Sequence, residues 1–246
     1  LNRNVTWWPS VRPFVDYLSR ASFLLQRGHF VADVLYYYGD QGFNFVGPRR
    51  QDPELGPGYD YDVTNADVLL NRLSVRDGRL VLPDAMSYAV LRLPDRGDMN
   101  PRVLAKIEQL VADGAIVIGP KPTHAPGLEG YPASDARVKE VADRLWGDLD
   151  GHARQARPHG KGTVIWGTPL KRVLADRGIG PDFSAPPALD FIHRRDGEAD
   201  IYFVRNTRAE PVDVNAAFRV GARAPELWDP RTGRIEDGNV VSNGAR

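Results

Sequence analysis

The sequence predicts an α/β protein built on an open, doubly wound parallel sheet and followed by antiparallel β-structure. Continuous apolar runs such as Tyr88-Ala89-Val90-Leu91-Arg92-Leu93 and Ala115-Ile116-Val117-Ile118 alternate with amphipathic helical stretches. That is the pattern of a parallel sheet covered on both faces. Four such strands, about 29–38, 88–93, 115–118 and 162–166, suit a doubly wound domain. After Pro186-Pro187 the helical period disappears, and short alternating segments divided by turn residues replace it.

Each element has a local cause. Phe14, Tyr17, Leu18, Ala21, Leu24 and Leu25 recur at helical spacing, which predicts a helix over 13–27 stopped by Gly28. His29 to Tyr38 reads as one buried strand from its β-branched and aromatic content. Residues 40–63 carry Gly47-Pro48 and Gly56-Pro57-Gly58 and read as one long loop. Thr64 or Asn65 caps a second helix, and Asp77-Gly78 turns between β segments at 73–75 and 79–82. Asn100-Pro101 opens a helix that Gly114 ends. Ser134 caps a helix through Trp146, and a short helix runs from Leu170 to Arg177. Beyond 186, strands are expected at 189–195, 201–206, 212–220 and 226–229, as the beginning of a β-sandwich.

Composition excludes several functions. Lys+Arg and Asp+Glu are both 32 in 246 residues, so no basic surface draws nucleic acid by counterion release. The absence of Cys removes disulfides, thiolate metal sites and Cys nucleophiles. No apolar run approaches the ~20 residues of a membrane helix. Neither nucleic acid nor membrane is therefore an expected partner.

Cofactor and metal motifs are missing too. No G-x-G-x-x-G follows the first strand, and Gly160-Lys161-Gly162-Thr163 precedes a strand where a phosphate loop would follow one. His29, His124, His152, His159 and His193 form no pair at ligand spacing. Asp60 and Asp62 read as a solvated, turn-forming loop. No cofactor and no metal site are expected. Nor does any acidic residue sit among apolar neighbours that would raise its pKa, so none is a candidate general acid.

Aromatic clusters are the distinctive feature. Trp7-Trp8 follows the polar, strand-like run Asn2-Arg3-Asn4-Val5-Thr6; Tyr36-Tyr37-Tyr38 and Tyr59-x-Tyr61 come later. Sugar rings pack their C–H faces on such side chains while Asn, Arg and Asp supply directed hydrogen bonds, in apolar pockets with a few placed polar groups. Core or junction burial is the competing explanation, and the stronger one for the tyrosines.

The runs Asn2–Trp8, Phe14-Val15-Asp16-Tyr17-Leu18-Ser19-Arg20, Leu24-Leu25-Gln26-Arg27-Gly28, Gly58–Ala66, Leu80–Tyr88 and Pro225–Gly233 resemble α-L-rhamnosidases of glycoside hydrolase family 106. The resemblance implies three parts. Residues 1–28 would be the last strand and helix of a (β/α)8 catalytic barrel. Residues 29–185 would form a flavodoxin-like or amidotransferase-like accessory domain, without the Cys that amidotransferase chemistry needs. Residues 186–246 would start a truncated antiparallel β-sandwich. It also implies a carbohydrate substrate, rhamnose-containing glycans of plant or bacterial polysaccharides, and a parent enzyme outside the cytoplasm. The catalytic carboxylates are expected upstream of Leu1, which leaves this chain inactive by itself and with no catalytic residue to name. In a barrel the C-terminal ends of strands face the substrate, so Asn4, Thr6, Trp7 and Trp8 become the candidate sugar contacts. The rival reading is a non-catalytic carbohydrate-binding or homo-oligomerising module.

Overall fold

The structure is a computed structural model, and it describes residues 3–42, 54–221 and 223–241. Asn2, Gly47-Pro48 and the closing residues 243–246 lie outside them. In chain order the elements are α1 (Arg12–Leu25), β1 (His29–Phe30), β2 (Val34–Tyr37), β3 (Tyr61–Thr64), α2 (Ala66–Asn71), β4 (Ser74–Arg76), β5 (Arg79–Val81), β6 (Ser87–Tyr88) and β7 (Val90–Arg92). There follow α3 (Pro101–Asp113), β8 (Ile116–Ile118), α4 (Ala133–Trp146), β9 (Ala156–His159), β10 (Gly162–Ile165) and α5 (Leu170–Asp176). The rest are the short β11 (Phe183–Ser184), β12 (Leu189–Asp196), β13 (Ala199–Asn206), the short β14 (Ala217–Phe218), β15 (Glu226–Trp228) and β16 (Ile235–Asp237). No helix among the described residues is long and apolar enough to cross a membrane.

Two compact units emerge: Leu1–Phe30 with Ala188–Val212 and Phe218–Arg246, and Val31–Pro187 with Asp213–Ala217. The second unit holds a six-stranded sheet in the order β3-β2-β7-β8-β10-β9. Its first five strands run parallel and β9 is antiparallel to β10. Side chains alternate across the pleat. Val34, Val90, Ile116, Ile118 and Ile165 join Leu170, Val173 and Leu174 of α5 in one core. Leu35, Leu91, Val117 and Val164 occupy the alternate positions and are equally buried, and α3 packs against β8, β10 and α4. Across the α3–α4 contact Arg144 holds Glu108 in a bidentate pair at 2.9 and 3.0 Å. Beside this sheet, β4, β5 and β6 form a small antiparallel sheet.

Local signals explain the helix ends. Asn65 Oδ1 accepts the Val68 N–H at 2.9 Å, and Asn100 Oδ1 accepts the Arg102 N–H at 2.9 Å. Ser134 is not a cap: α4 begins at Ala133, and the Ser134 Oγ is buried with no hydrogen-bond partner.

Several strands differ from the sequence expectation. The 29–38 run is two strands in two sheets, because β1 pairs with β12 while β2 pairs with β3 and β7. Likewise β6 and β7 divide 87–92 between two sheets. The segment 40–63, expected as one long loop, ends in β3, which runs on to Thr64 and finds a parallel partner only in the folded sheet. Gly160-Lys161 is the turn of the β9–β10 hairpin, and β9 was not foreseen. Where a barrel strand was expected, residues 3–7 form turns, because the Val5 carbonyl accepts the Trp8 N–H at 3.1 Å and closes the chain on itself.

In the first unit, β1-β12-β13 is a three-stranded antiparallel sheet. A separate hairpin pairs β15 with β16. Only Ala217–Phe218 is strand within the expected 212–220 segment. Gly28 admits the chain to this sheet: its φ is +56°, and a Cβ there would lie 2.0 Å from the Arg195 carbonyl oxygen.

Candidate functional site

The four sequence-predicted contacts share one short stretch in the first unit. Trp8–Ser10 is a single 3-10 turn, with the Ser10 N–H bonded to the Trp7 carbonyl at 3.0 Å and the Val11 N–H to the Trp8 carbonyl at 3.1 Å. Pro9 suits that turn, since its fixed φ is helical and the missing N–H is not needed there. Asn4, Thr6, Trp7 and Trp8 are all exposed, Trp7 at 50% and Trp8 at 38%. The stretch offers indole faces with a neutral amide and hydroxyl. It contains no titratable side chain, so none of its groups can act as a general acid or base.

The tyrosines behave differently. Tyr37 and Tyr59 are core residues, and the Tyr59 hydroxyl donates to the Ile179 carbonyl at 3.1 Å. Tyr36 meets Tyr61 edge to face at 5.1 Å between centroids. Tyr38 alone of the run has an exposed ring.

Buried carboxylates, which the sequence reading did not foresee, are present. Asp33, Asp60 and Asp182 are nearly inaccessible. Asp60 is therefore not part of a solvated loop; it leads into β3, and its Oδ1 accepts the Tyr61 N–H at 3.0 Å. Asp62 accepts the Tyr88 hydroxyl at 2.8 Å. Burial first, then the charge and hydrogen bond of Asp62, push the Tyr88 hydroxyl well above the usual phenol range.

Two polar networks stand out. At the C-terminal ends of β2 and β7, where the strand order reverses, doubly wound folds take their ligands. Here Tyr37 donates to Asp40, whose second oxygen accepts the Asn100 N–H at 2.9 Å. Gln41 and Arg96 both donate to Asp98, at 3.1 and 2.9 Å. Burial would raise the Asp98 carboxyl, but those two donors hold it below the ordinary carboxylate range.

The second network lies in the first unit. His193 is fully buried, stacks on Tyr202 at 4.0 Å, and places Nε2 3.0 Å from Asp200 Oδ1. Arg195 donates to the same oxygen at 2.8 Å. A signal for this cluster was available: the Asp196-Gly197 turn sets a register that places Arg195 opposite Asp200 and His193 opposite Tyr202. Among the described residues, no group of three or more His, Asp or Glu side chains is arranged to hold a metal ion.

A family model described as alpha-L-rhamnosidase, glycoside hydrolase family 106, matches residues 1–240. The chain belongs to that family. A solved rhamnosidase structure from Novosphingobium sp. PP1Y is similar to it, with 32% identity and a TM-score of 0.81 over 96% of this chain and 23% of that one. A relative from Formosa agariphila, named "Putative beta-glucuronidase", is 38% identical over 244 residues. That match takes in 99% of this chain and 20% of the relative, so the family 106 chain spans about a fifth of the length of the curated protein it matches. The GH42 β-galactosidase Gan42B, at 13% identity, has a TM-score of 0.54 over 97% of this chain and 42% of that one, a likeness of fold alone.

Proposed function

We propose that this chain is the non-catalytic part of an α-L-rhamnosidase that cleaves α-L-rhamnosidic bonds in plant or bacterial polysaccharides. The observation that carries the reading is the family match over residues 1–240. Glycosidases of this kind need a general acid and a second carboxylate ~5–10 Å apart across the scissile bond. Among the described residues the buried carboxylates belong to strands and turns of this chain's own cores. The catalytic pair is accordingly assigned to the remainder of a longer protein, and this chain alone is inactive. Because such substrates lie outside the cell, the parent acts in the periplasm or beyond.

Asn4, Thr6, Trp7 and Trp8 would meet the sugar from the exposed turn. As for architecture, the β3-β2-β7-β8-β10 order supports the flavodoxin-like reading, in which the first strand lies second in the sheet, and 29–185 is read as the accessory domain. The α1 helix keeps only Ala21 buried, while Phe14, Val15 and Leu18, which share one face, are exposed. An amphipathic helix with its apolar stripe uncovered suits the closing helix of a (β/α)8 barrel. The strands after 186 are read as part of a β-sandwich. The test is hydrolysis of p-nitrophenyl α-L-rhamnopyranoside by a full-length protein carrying this chain, compared with the chain alone. Activity of the long protein only is expected; hydrolysis by the chain alone overturns the division of labour.

The 38% identical relative favours a second substrate reading, a β-glucuronide. Faster turnover of a p-nitrophenyl β-D-glucuronide in the same assay would establish it. A homo-oligomerising role draws on the exposed Leu227, Trp228 and Ile235 of the β15–β16 hairpin. Sedimentation of the chain as a monomer at all concentrations would remove that role.

A further inference from the structure

The second unit contains a cleft of about 470 Å³ between the β2–β3 edge with the start of α2 and the turn that joins β5 to β6. That size falls within the ~300–1,000 Å³ of small-molecule sites. Its walls are mostly apolar, from Leu82 and Met86 among others, and the half-exposed ring of Tyr38 lines it. Three charged side chains converge on it: Asp62, Arg72 and Asp84.

Their geometry suits hydroxyl recognition. Asp62 Oδ2 accepts the Tyr88 hydroxyl at 2.8 Å, and Oδ1 accepts the Val63 N–H at 2.8 Å, which orients the carboxylate with a second lone pair left on each oxygen. Arg72 Nη2 donates to Asp84 Oδ2 at 2.5 Å, one use of its five N–H donors. Asp84 is carried by a closed turn, in which the Leu82 N–H reaches the Met86 carbonyl at 2.9 Å and Ala85 sits at φ +71°. A non-glycine residue in that conformation is strained and persists only where its surroundings impose it. The closed turn presents the Asp84 carboxylate to the guanidinium.

The charge balance chooses the ligand. Two carboxylates face one guanidinium, so the cleft carries a net negative charge and disfavours phosphates and uronates. A polyol gains hydrogen bonds from both signs of group without bringing a charge of its own, and an apolar sugar face can lie on Tyr38.

We propose that this cleft is a binding site for a neutral pyranose, separate from the Asn4–Trp8 turn. It does not depend on where the catalytic carboxylates lie. The test is an amide and indole NMR titration of the 246-residue chain with L-rhamnose, and in parallel with D-glucuronate. Saturable shifts at the amides of Thr64, Val68 and Asp84 are expected with L-rhamnose and not with D-glucuronate. Tyr38→Ala and Arg72→Ala should each weaken them by about tenfold at an unchanged melting temperature. If Arg72→Ala lowers the melting temperature, Asp84→Asn on the exposed turn takes its place. Silence at these amides, or an equal response to the charged sugar, overturns the proposal. Shifts confined to the Trp7 and Trp8 indoles refute the cleft and leave the exposed-turn reading intact; cleft shifts with silent indoles do the reverse.

Discussion

The Asp200 carboxylate stands 3.0 Å from Nε2 of the buried His193, in the sheet that joins residues near both ends of the chain. A carboxylate only accepts, so Nε2 carries the proton in this pair. Burial would raise the Asp200 carboxyl, but the hydrogen bonds and charge of Arg195 and His193 outweigh it and hold the group below the ordinary carboxylate range.

Acid sensitivity follows from that shift. A carboxyl whose folded pKa is depressed contributes stability above its unfolded pKa of about 3.9 and loses it as pH falls through the folded value. Asp200→Asn should therefore destabilise at neutral pH by ~1–3 kcal/mol, as it weakens a buried hydrogen-bonded pair. The gap from wild type should shrink as pH drops below about 4. Urea melts of both proteins across that range check it; a gap independent of pH would refute the role.

Gly28→Ala should destabilise the β1–β12 pairing. The left-handed backbone alone costs ~1–2 kcal/mol for a residue with a Cβ, and the added atom would overlap the Arg195 carbonyl. A lowered melting temperature is expected, and an unchanged one would contradict the geometry.

Trp146 is fully buried on α4, and its Nε1 donates to the Gly119 carbonyl at 3.0 Å. Trp146→Phe keeps most of the apolar volume and should cost ~1–3 kcal/mol for the orphaned carbonyl. Trp146→Ala should cost ~3–5 kcal/mol by opening a cavity. Chemical denaturation distinguishes the two.

Ser134→Ala separates a cap from a buried orphan. Loss of a helix cap costs ~1 kcal/mol, whereas removing a buried hydroxyl without a partner is neutral or stabilising. No loss of stability is expected in a thermal melt.

Trp8→Ala, made in a full-length enzyme that carries this chain, should lower kcat/KM for an α-L-rhamnoside by about tenfold, the loss of ~1.4 kcal/mol of stacking and burial. Unchanged turnover at low substrate would take Trp8 out of the site.

Much of this was legible in residue order. The helical spacing of Val103, Leu104, Ile107, Leu110 and Val111 marked α3, with its Asn100 cap and Gly114 stop. The Asp77-Gly78 turn was legible because both residues take positive φ, at 52° and 72°. Strand membership was not. Val34 and Phe30 lie in one apolar run yet pair with different sheets, because pairing is chosen by partners far along the chain. The same reason hid Asp60: burial of a carboxylate depends on what the fold stacks over it, and its Tyr59-Asp60-Tyr61-Asp62 neighbourhood has no apolar pattern that announces it.

Local chemistry by itself determined the Asn65 and Asn100 caps and the Gly114 stop, which turns need glycine, and the alternation that calls for a covered parallel sheet, since each depends on neighbours within a few residues. The family, too, was readable from short runs of side chains. Tertiary structure alone decided that β1 leaves its own run to join β12, and that Asp62, Arg72 and Asp84 face one cleft. Those outcomes rest on contacts between distant segments, whose free energy no local window contains.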